Sequence, residues 1–270
     1  MNKRLPVTIH VQPWFKDHNF NGKTILAGVE TMSLLAAGAL TKYPDIDIRI
    51  MKDCLFAKFL EIRKQATTMA ALVEYEEKSD SRVQAKLLSQ VQIGKMRRIK
   101  EHGEIFFPKT SISHLSAYKI DHAEPPSPAK KIASEHIYRE LVPFGPHYHT
   151  LQGNLYISEL GAWGKLKAPQ LPFTDPVQNT IGSPFPLDGA MHAACVLGQQ
   201  YVDYAPFPVG FKKRVIVRPT QPGAEYTTRV MPVSQSADEQ IFNLDIFNTD
   251  GEVFETVTGL RMRDVSSAIR

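Results

Sequence analysis

His18 lies in DHNFNGKTILAG, residues 17–28, beside a loop punctuated by Gly22 and Gly28, and the chain then runs into the apolar stretch VETMSLLAAGAL. An imidazole changes charge near neutral pH, so a ring at the mouth of such a turn either faces a cavity and exchanges protons or simply caps and packs. A second chemistry-bearing stretch is SPFPLDGAMHAAC, residues 183–195. On a helix, Asp188 and His192 are four apart and share one face, about one turn from each other. Taken alone, Asp188 reads as a carboxylate favoured at a helix N-terminus. The symmetry of the two stretches adds a second reading. One imidazole precedes the first helix and one carboxylate opens the second, so both can point into one shared cavity.

The elements that would position them occur twice. In the first half, a helix from about Gly28 to Leu40 is followed by strand-like runs at 56–62, 67–75, 82–88 and 103–107. In the second, a helix from about Leu187 to Tyr201 is followed by runs at 213–219, 225–233, 240–248 and 252–262. Within 240–248, Ile241, Phe242, Leu244 and Ile246 alternate mostly with period two, the mark of a sheet with one buried face. Asp250-Gly251 is a strong hairpin signal between the last two runs. The break between halves is KIDHAEPPSPAKKIASE, residues 119–135, whose three prolines oppose a helix or a central strand. This predicts two units, 1–118 and 136–270, joined by a Pro-rich linker. Each is an α+β unit with a long helix wrapped by a curved antiparallel sheet.

A chain of 270 residues, 43% hydrophobic and 22% charged, has the composition of a globular protein with a substantial core. The net charge of +4 is mildly basic, which favours an acidic partner without naming one. Cys54 and Cys195 give neither a metal spacing nor a disulfide framework, so a reducing, cytoplasmic setting is expected. The N-terminus lacks the apolar core of a signal peptide, and no apolar run approaches a membrane span. No phosphate-binding loop, dinucleotide fingerprint or serine elbow is present, so phosphoryl transfer, hydride transfer and α/β-hydrolase chemistry have no support.

Four segments together resemble the dehydratase domains of polyketide synthases. HNFNGKTILA is similar to that family's HxxxGxxxxP motif, with His18 and Gly22 in place and Ala27 where proline is usual. LDGAMH is similar to its DxxxQ/H motif through Asp188 and His192. FGPHY, 144–148, resembles its YGPxF segment, and APFPV, 205–209, weakly resembles LPFxW. All four fall in the family's order. LDGAMH also resembles the helix of smaller hydroxydecanoyl-type dehydratases. The resemblance implies a double hotdog fold and dehydration of a 3-hydroxyacyl thioester carried on the phosphopantetheine of an acyl carrier protein, in polyketide or fatty-acid-like biosynthesis.

The resemblance also assigns roles. His18 is the base that removes the α-proton and Asp188 the acid that protonates the leaving β-hydroxyl. Apolar neighbours Phe185 and Leu187 favour the protonated carboxyl by desolvation. The N–H of Gly28 would polarise the thioester carbonyl, and His192 would orient Asp188. Gly22, Phe144 and Tyr148 join Gly28 and His192 as expected substrate-binding residues. No metal and no cofactor beyond the carrier's arm are implied. Ala27 gives up a φ restraint, and Phe144 lacks the hydroxyl of the usual tyrosine, which opens two other readings. One is a product-template-like cyclase or enoyl isomerase on the same fold; the other is a non-catalytic acyl-binding or scaffold protein.

His147 and His149 in HYH have same-face strand spacing, but without a third ligand they read as structural or surface residues rather than a metal site. Glu30, in the first helical turn, reads as a dipole-favoured carboxylate. KMRRIK (95–100) and FKKR (211–214) read as solvated strand faces or as docking sites for an acidic carrier protein, with Lys212, Lys213 and Arg214 as first candidates. Nucleic-acid and membrane partners are not expected, and the oligomeric state, a homodimer included, is left open.

Overall fold

The computed structural model describes residues 4–20, 22–94, 96–109, 118–120 and 125–266. The chain runs β1 (Arg4–His10), β2 (Asn19–Phe20), β3 (Lys23–Thr24), α1 (Gly28–Lys42), β4 (Ile50–Phe56), β5 (Thr68–Glu77), β6 (Arg82–Ile93) and β7 (Met96–Pro108). It continues with β8 (Lys130–Ala133), α2 (Ser134–His136), β9 (Leu151–Ser158), β10 (Gly161–Lys167), α3 (Gln178–Ile181) and α4 (Phe185–Gly198). Four strands close it: β11 (Phe207–Ile216), β12 (Glu225–Gln235), β13 (Gln240–Phe247) and β14 (Val253–Arg263).

Twelve of these strands form one antiparallel sheet in the order β1-β5-β6-β7-β4-β11-β14-β13-β12-β10-β9-β8. The strands before β8 occupy one end and those from β8 onward the other, and β4 pairs with β11 between them. The sheet curves around two helices. Helix α1 packs on β6 and β7, helix α4 packs on β9, β10, β12 and β13, and the helices touch each other. This is the double hotdog architecture.

The helices follow from composition. On α1 the buried residues Val29, Met32, Leu35, Ala36 and Ala39 recur at three- and four-residue spacing, which leaves one apolar stripe. Every one of the fourteen residues of α4 is buried, so that helix is apolar all round apart from Asp188 and His192. Both α1 and α4 lack a side-chain N-cap. Pro186 lies in the first turn of α4, where its missing N–H costs no helical hydrogen bond. At the hairpin turn after β13, Asn248 Oδ1 accepts from the N–H groups of Asp250 and Glu252, and Gly251 takes φ +76°.

The expected strand at 56–62 is a correction. The strand there is β4, which ends at Phe56, and residues 57–60 line a cavity instead, while Glu61 makes an isolated bridge to Ile25. The expected linker 119–135 is also not all linker. Lys130–Ala133 forms the edge strand β8 on β9, and Ser134 starts α2. Residues 121–124 of that stretch lie outside the described residues, as does Lys95 of the 95–100 basic run.

Candidate active site

His18 ends the short 3-10 helix Pro13–Asp17 and precedes the β2–β3 hairpin. Its backbone is held at both ends: its N–H donates to the Phe15 carbonyl at 3.2 Å, and its own carbonyl accepts from Ile25 at 3.0 Å. Its Nδ1 lies 3.0 Å from the Ile25 carbonyl oxygen. A carbonyl only accepts, so Nδ1 carries the proton and Nε2 keeps a free lone pair. One face of the ring stacks on Phe144 at 4.3 Å and 21°, and Tyr148 sits 5.1 Å away. Burial lowers the ring's pKa from 6.5, with His192 acting in the same direction, while Asp188 and the Ile25 hydrogen bond oppose the shift.

Asp188 and His192 come from α4 and are 5% and 4% exposed. Asp188 Oδ2 and His192 Nε2 are 2.9 Å apart, but their alignment is not that of a hydrogen bond, and both atoms have no other partner. The two side chains touch without a hydrogen bond, which leaves the carboxyl available. Behind it, the Tyr138 hydroxyl accepts from the Leu151 N–H at 2.8 Å and lies 3.4 Å from His192 Nδ1. Tyr138 in turn stacks on His149 at 4.2 Å, whose Nε2 donates to the Phe144 carbonyl at 2.8 Å.

His18, Gly28, Phe144, Asp188 and His192 all line one mostly apolar cavity. Gly28 is the first residue of α1, so its N–H has no acceptor within the helix. A Cβ at Gly28 would lie 2.9 Å from the Phe56 ring, so the glycine permits Phe56 to close the wall. Ala27 holds φ −60° and ψ 147°, the torsions a proline would favour, so its backbone is already set for the helix start.

Two expected substrate-binding residues are placed elsewhere. Gly22 is an exposed turn residue at φ +77°, with its N–H donating to Asn19 Oδ1 at 3.1 Å, and it does not line the cavity. Its role is to let the β2–β3 hairpin reverse. Tyr148 is fully buried behind His18 rather than lining the cavity, and its hydroxyl has no partner. Its ring packs against those of His18, Phe144 and Phe185. His147 and His149 diverge. His147 Nδ1 meets Asp17 Oδ2 at 2.6 Å, and His149 turns to Phe144 and Tyr138. Among the described residues no cluster of three or more His, Cys, Asp or Glu could hold a metal ion.

Much of the remaining cavity wall was not foreseen from the sequence, including Phe56, Lys58, His102, Met191, Cys195 and Phe207. The only signal was APFPV, which contains Phe207. Reasoning also missed the clamp beside His18. Asp17 accepts from the N–H of Gly145 with its carbonyl at 2.7 Å and from the N–H of His147 with its carboxylate at 3.0 Å. The residue before the candidate base thereby fixes the FGPHY segment of the other half.

Glu30 is not a simple surface dipole partner. Trp14 Nε1 donates to it at 3.1 Å. Burial pushes its carboxyl up to about 7, Trp14 works against that shift and Asp188 adds to it. A raised carboxyl stabilises the fold below its ordinary value of 4.5, and that stability is lost as pH rises toward about 7. Glu30→Gln should therefore gain stability relative to wild type as pH rises from 4.5 to 8, reaching about 3 kcal/mol. Thermal melts of both proteins across that range check this, and a difference that does not grow with pH refutes it.

A family model described as the polyketide synthase dehydratase N-terminal domain matches residues 121–270, more than half of the chain, and the chain belongs to that family. No curated protein matches it significantly. Its fold is that of solved polyketide dehydratase domains. The trans-AT PKS dehydratase domain from Brevibacillus brevis is 15% identical with a TM-score of 0.80, over 98% of this chain and 94% of that one. The dehydratase domain of RzxB from Pseudomonas fluorescens is 14% identical with a TM-score of 0.70, over 90% and 87%. The bifunctional dehydratase-cyclase domain of ambruticin biosynthesis is 17% identical with a TM-score of 0.71, over 96% and 91%. At these identities the likeness establishes fold; the reaction must be argued from the site.

Proposed function

We propose that the protein dehydrates a 3-hydroxyacyl thioester presented on the phosphopantetheine arm of an acyl carrier protein, in polyketide or fatty-acid-like biosynthesis. One observation carries the reading. An imidazole with its Nε2 free and a buried carboxyl face one apolar cavity from opposite halves of the molecule.

The acyl chain lies along the apolar wall, with the thioester carbonyl at the start of α1. The Gly28 N–H donates to that carbonyl and stabilises the negative charge that grows there. His18 Nε2 takes the α-proton, and lowering of its pKa keeps it neutral for that task. The α-carbanion electrons form the α,β-double bond as the β-hydroxyl leaves. Asp188, protonated, supplies the proton that turns that hydroxyl into water. His192 packs beside the carboxyl, its Nε2 2.9 Å from Asp188 Oδ2, and the Tyr138 hydroxyl lies 3.4 Å behind its Nδ1. The neutral His18 Nδ1–H stays on Ile25 throughout. Cys54 and Cys195 are buried free thiols, which suits the cytoplasmic setting included in this reading. Among the described residues no helix is long and apolar enough to cross a membrane.

The test is incubation with a 3-hydroxyacyl-loaded carrier protein and mass detection of the acyl product. Loss of one water from a simple hydroxyacyl chain is expected. Ring closure without hydroxyacyl turnover would instead assign a cyclase, an outcome kept in view because one fold neighbour is named a dehydratase-cyclase. Tight acyl binding with neither reaction would leave an acyl-binding protein.

A further inference from the structure

The basic run 211–214 does not offer the three-cation docking face its sequence suggested. Arg214 is 3% exposed and engages Glu255 at 2.7 and 3.0 Å, so it is unavailable to a partner. Lys213 lies with Arg82 and Asp80 in a separate cleft. The other basic run has a different setting. Residues 90–100, QVQIGKMRRIK, hold four basic side chains and no acidic one. The described residues of this run, 90–94 and 96–100, form the outer part of the β6–β7 hairpin, where residues 96–100 are all exposed and Met96 is 59% exposed.

The hairpin is tied to the cavity by a bulge. Leu87 pairs with Gly103 and Leu88 with Glu101, so His102 is the extra residue. His102 lines the cavity; its Nδ1 donates to the Lys58 carbonyl at 3.0 Å, and its Nε2 accepts from the Ser89 hydroxyl at 2.7 Å. Beyond the bulge, Ser89 pairs with Lys100, Val91 with Arg98 and Ile93 with Met96. Side chains two apart share a face of a strand, so Lys100, Arg98 and Met96 stand on the face from which Ser89 reaches His102. Lys58 lines the cavity as well, and both Lys58 and Lys100 act electrostatically on His102. None of Lys58, Arg98 and Lys100 has a carboxylate partner among the described residues.

We propose that Lys58, Arg98 and Lys100 form the docking stripe for an acidic acyl carrier protein, whose acyl arm enters the cavity past His102. The inference rests on the dehydratase reading for the arm's destination. Charge complementarity chooses the occupant: an unpaired positive stripe that ends at a substrate cavity suits a partner that is both negative and carries the substrate. Met96 adds a soft apolar contact at the far end. The stripe has no aromatic side chain on which a base could stack, which argues against single-stranded nucleic acid.

The test compares wild type with the triple variant Lys58→Ser, Arg98→Ser, Lys100→Ser and with a control pair, Lys212→Ser and Lys213→Ser. The probe is an acidic acyl carrier protein loaded with a 3-hydroxybutyryl chain, and binding is followed by fluorescence anisotropy at low and at physiological salt. The triple variant should bind about tenfold or more weakly at low salt, with a flatter salt dependence, while the control pair shifts less than about twofold. A charge-keeping variant, Arg98→Lys with Lys100→Arg, should bind as wild type does, which separates loss of charge from loss of fold. Turnover of the free 3-hydroxybutyryl-N-acetylcysteamine thioester should be unchanged within about twofold in the control pair and in the charge-keeping variant, neither of which touches the cavity wall. Equal carrier binding by wild type and triple variant, or equal loss in the control pair, overturns the docking stripe even where the free thioester is dehydrated. Stripe-dependent carrier binding without water loss from either substrate would keep the stripe and remove the dehydratase reading. Binding of phosphatidylserine vesicles but not of the carrier would assign the stripe to a membrane and overturn the proposal.

Discussion

His18→Ala and Asp188→Asn are each expected to lower water loss from a carrier-bound 3-hydroxyacyl chain by about 10²–10⁴-fold while the fold persists. The double variant should be little worse than either single one, because base and acid act on one substrate in one transition state. The two residues are 170 positions apart in the chain yet line the same cavity, and Asp188 acts electrostatically on the His18 ring. The pH profile supplies a second readout. Burial lowers the His18 pKa from 6.5, so the ring stays neutral below that value, and the acid limb of kcat/KM should lie under pH 6.5. Near wild-type turnover in a folded His18→Ala protein would end the dehydratase reading. Multiplied losses in the double variant would keep both residues but deny them a shared step.

Breaking the Arg214–Glu255 pair should unfold the protein far more readily than it alters chemistry. The guanidinium lies on β11, beside the seam with β4, and its partner on β14 is 1% exposed. Two near-parallel hydrogen bonds at 2.7 and 3.0 Å join them, and Met32 and Met51 cover the remaining nitrogen. Arg214→Met leaves Glu255 charged in an apolar surrounding, at a cost of about 3–5 kcal/mol. Replacing both, with Arg214→Met and Glu255→Leu, removes the stranded charge and should recover most of that loss. Urea titrations of the two variants decide it. A single variant as stable as wild type, or a double variant no better than the single, would show that the pair is not what holds the seam.

Much of this was legible because periodicity is a direct image of burial. The alternation of Ile241 and its neighbours gave β13, and the apolar stretches after Gly28 and around Leu187 gave α1 and α4. The errors share a cause. In the run 56–62, Phe56 ends β4 while Phe59 and Leu60 lie beyond the strand, yet all three line a cavity, and periodicity cannot tell such a run from a strand. Residues 130–133 read as linker because an edge strand of four residues with two lysines carries almost no apolar signal. Arg214 looked like surface since it ends a basic run. A strand sends alternate side chains inward, so one member of any such run is a candidate for burial. In the site, His18, Asp188, His192, Phe144 and Gly28 were legible through local motifs. Tyr138, His149 and the Asp17 clamp were not: Tyr138 meets His192 54 positions on, His149 turns back to Phe144, and Asp17 reaches His147 across the two halves, and no spacing rule reports such contacts.

The two open ends of the twelve-stranded sheet bear on self-association. A long sheet with bare edges invites strand-to-strand growth into fibres. Here β1 ends one side and β8 the other among the described residues. Pro6 in β1 offers no backbone donor to an incoming strand, and Arg4 beside it adds charge. At the opposite end β8 is only four residues long and begins with Lys130 and Lys131, the latter lying over the Tyr156 ring at 5.6 Å. Both margins thus act as gatekeepers, which lets the chain keep one extended sheet spanning both halves without that sheet templating its own polymer.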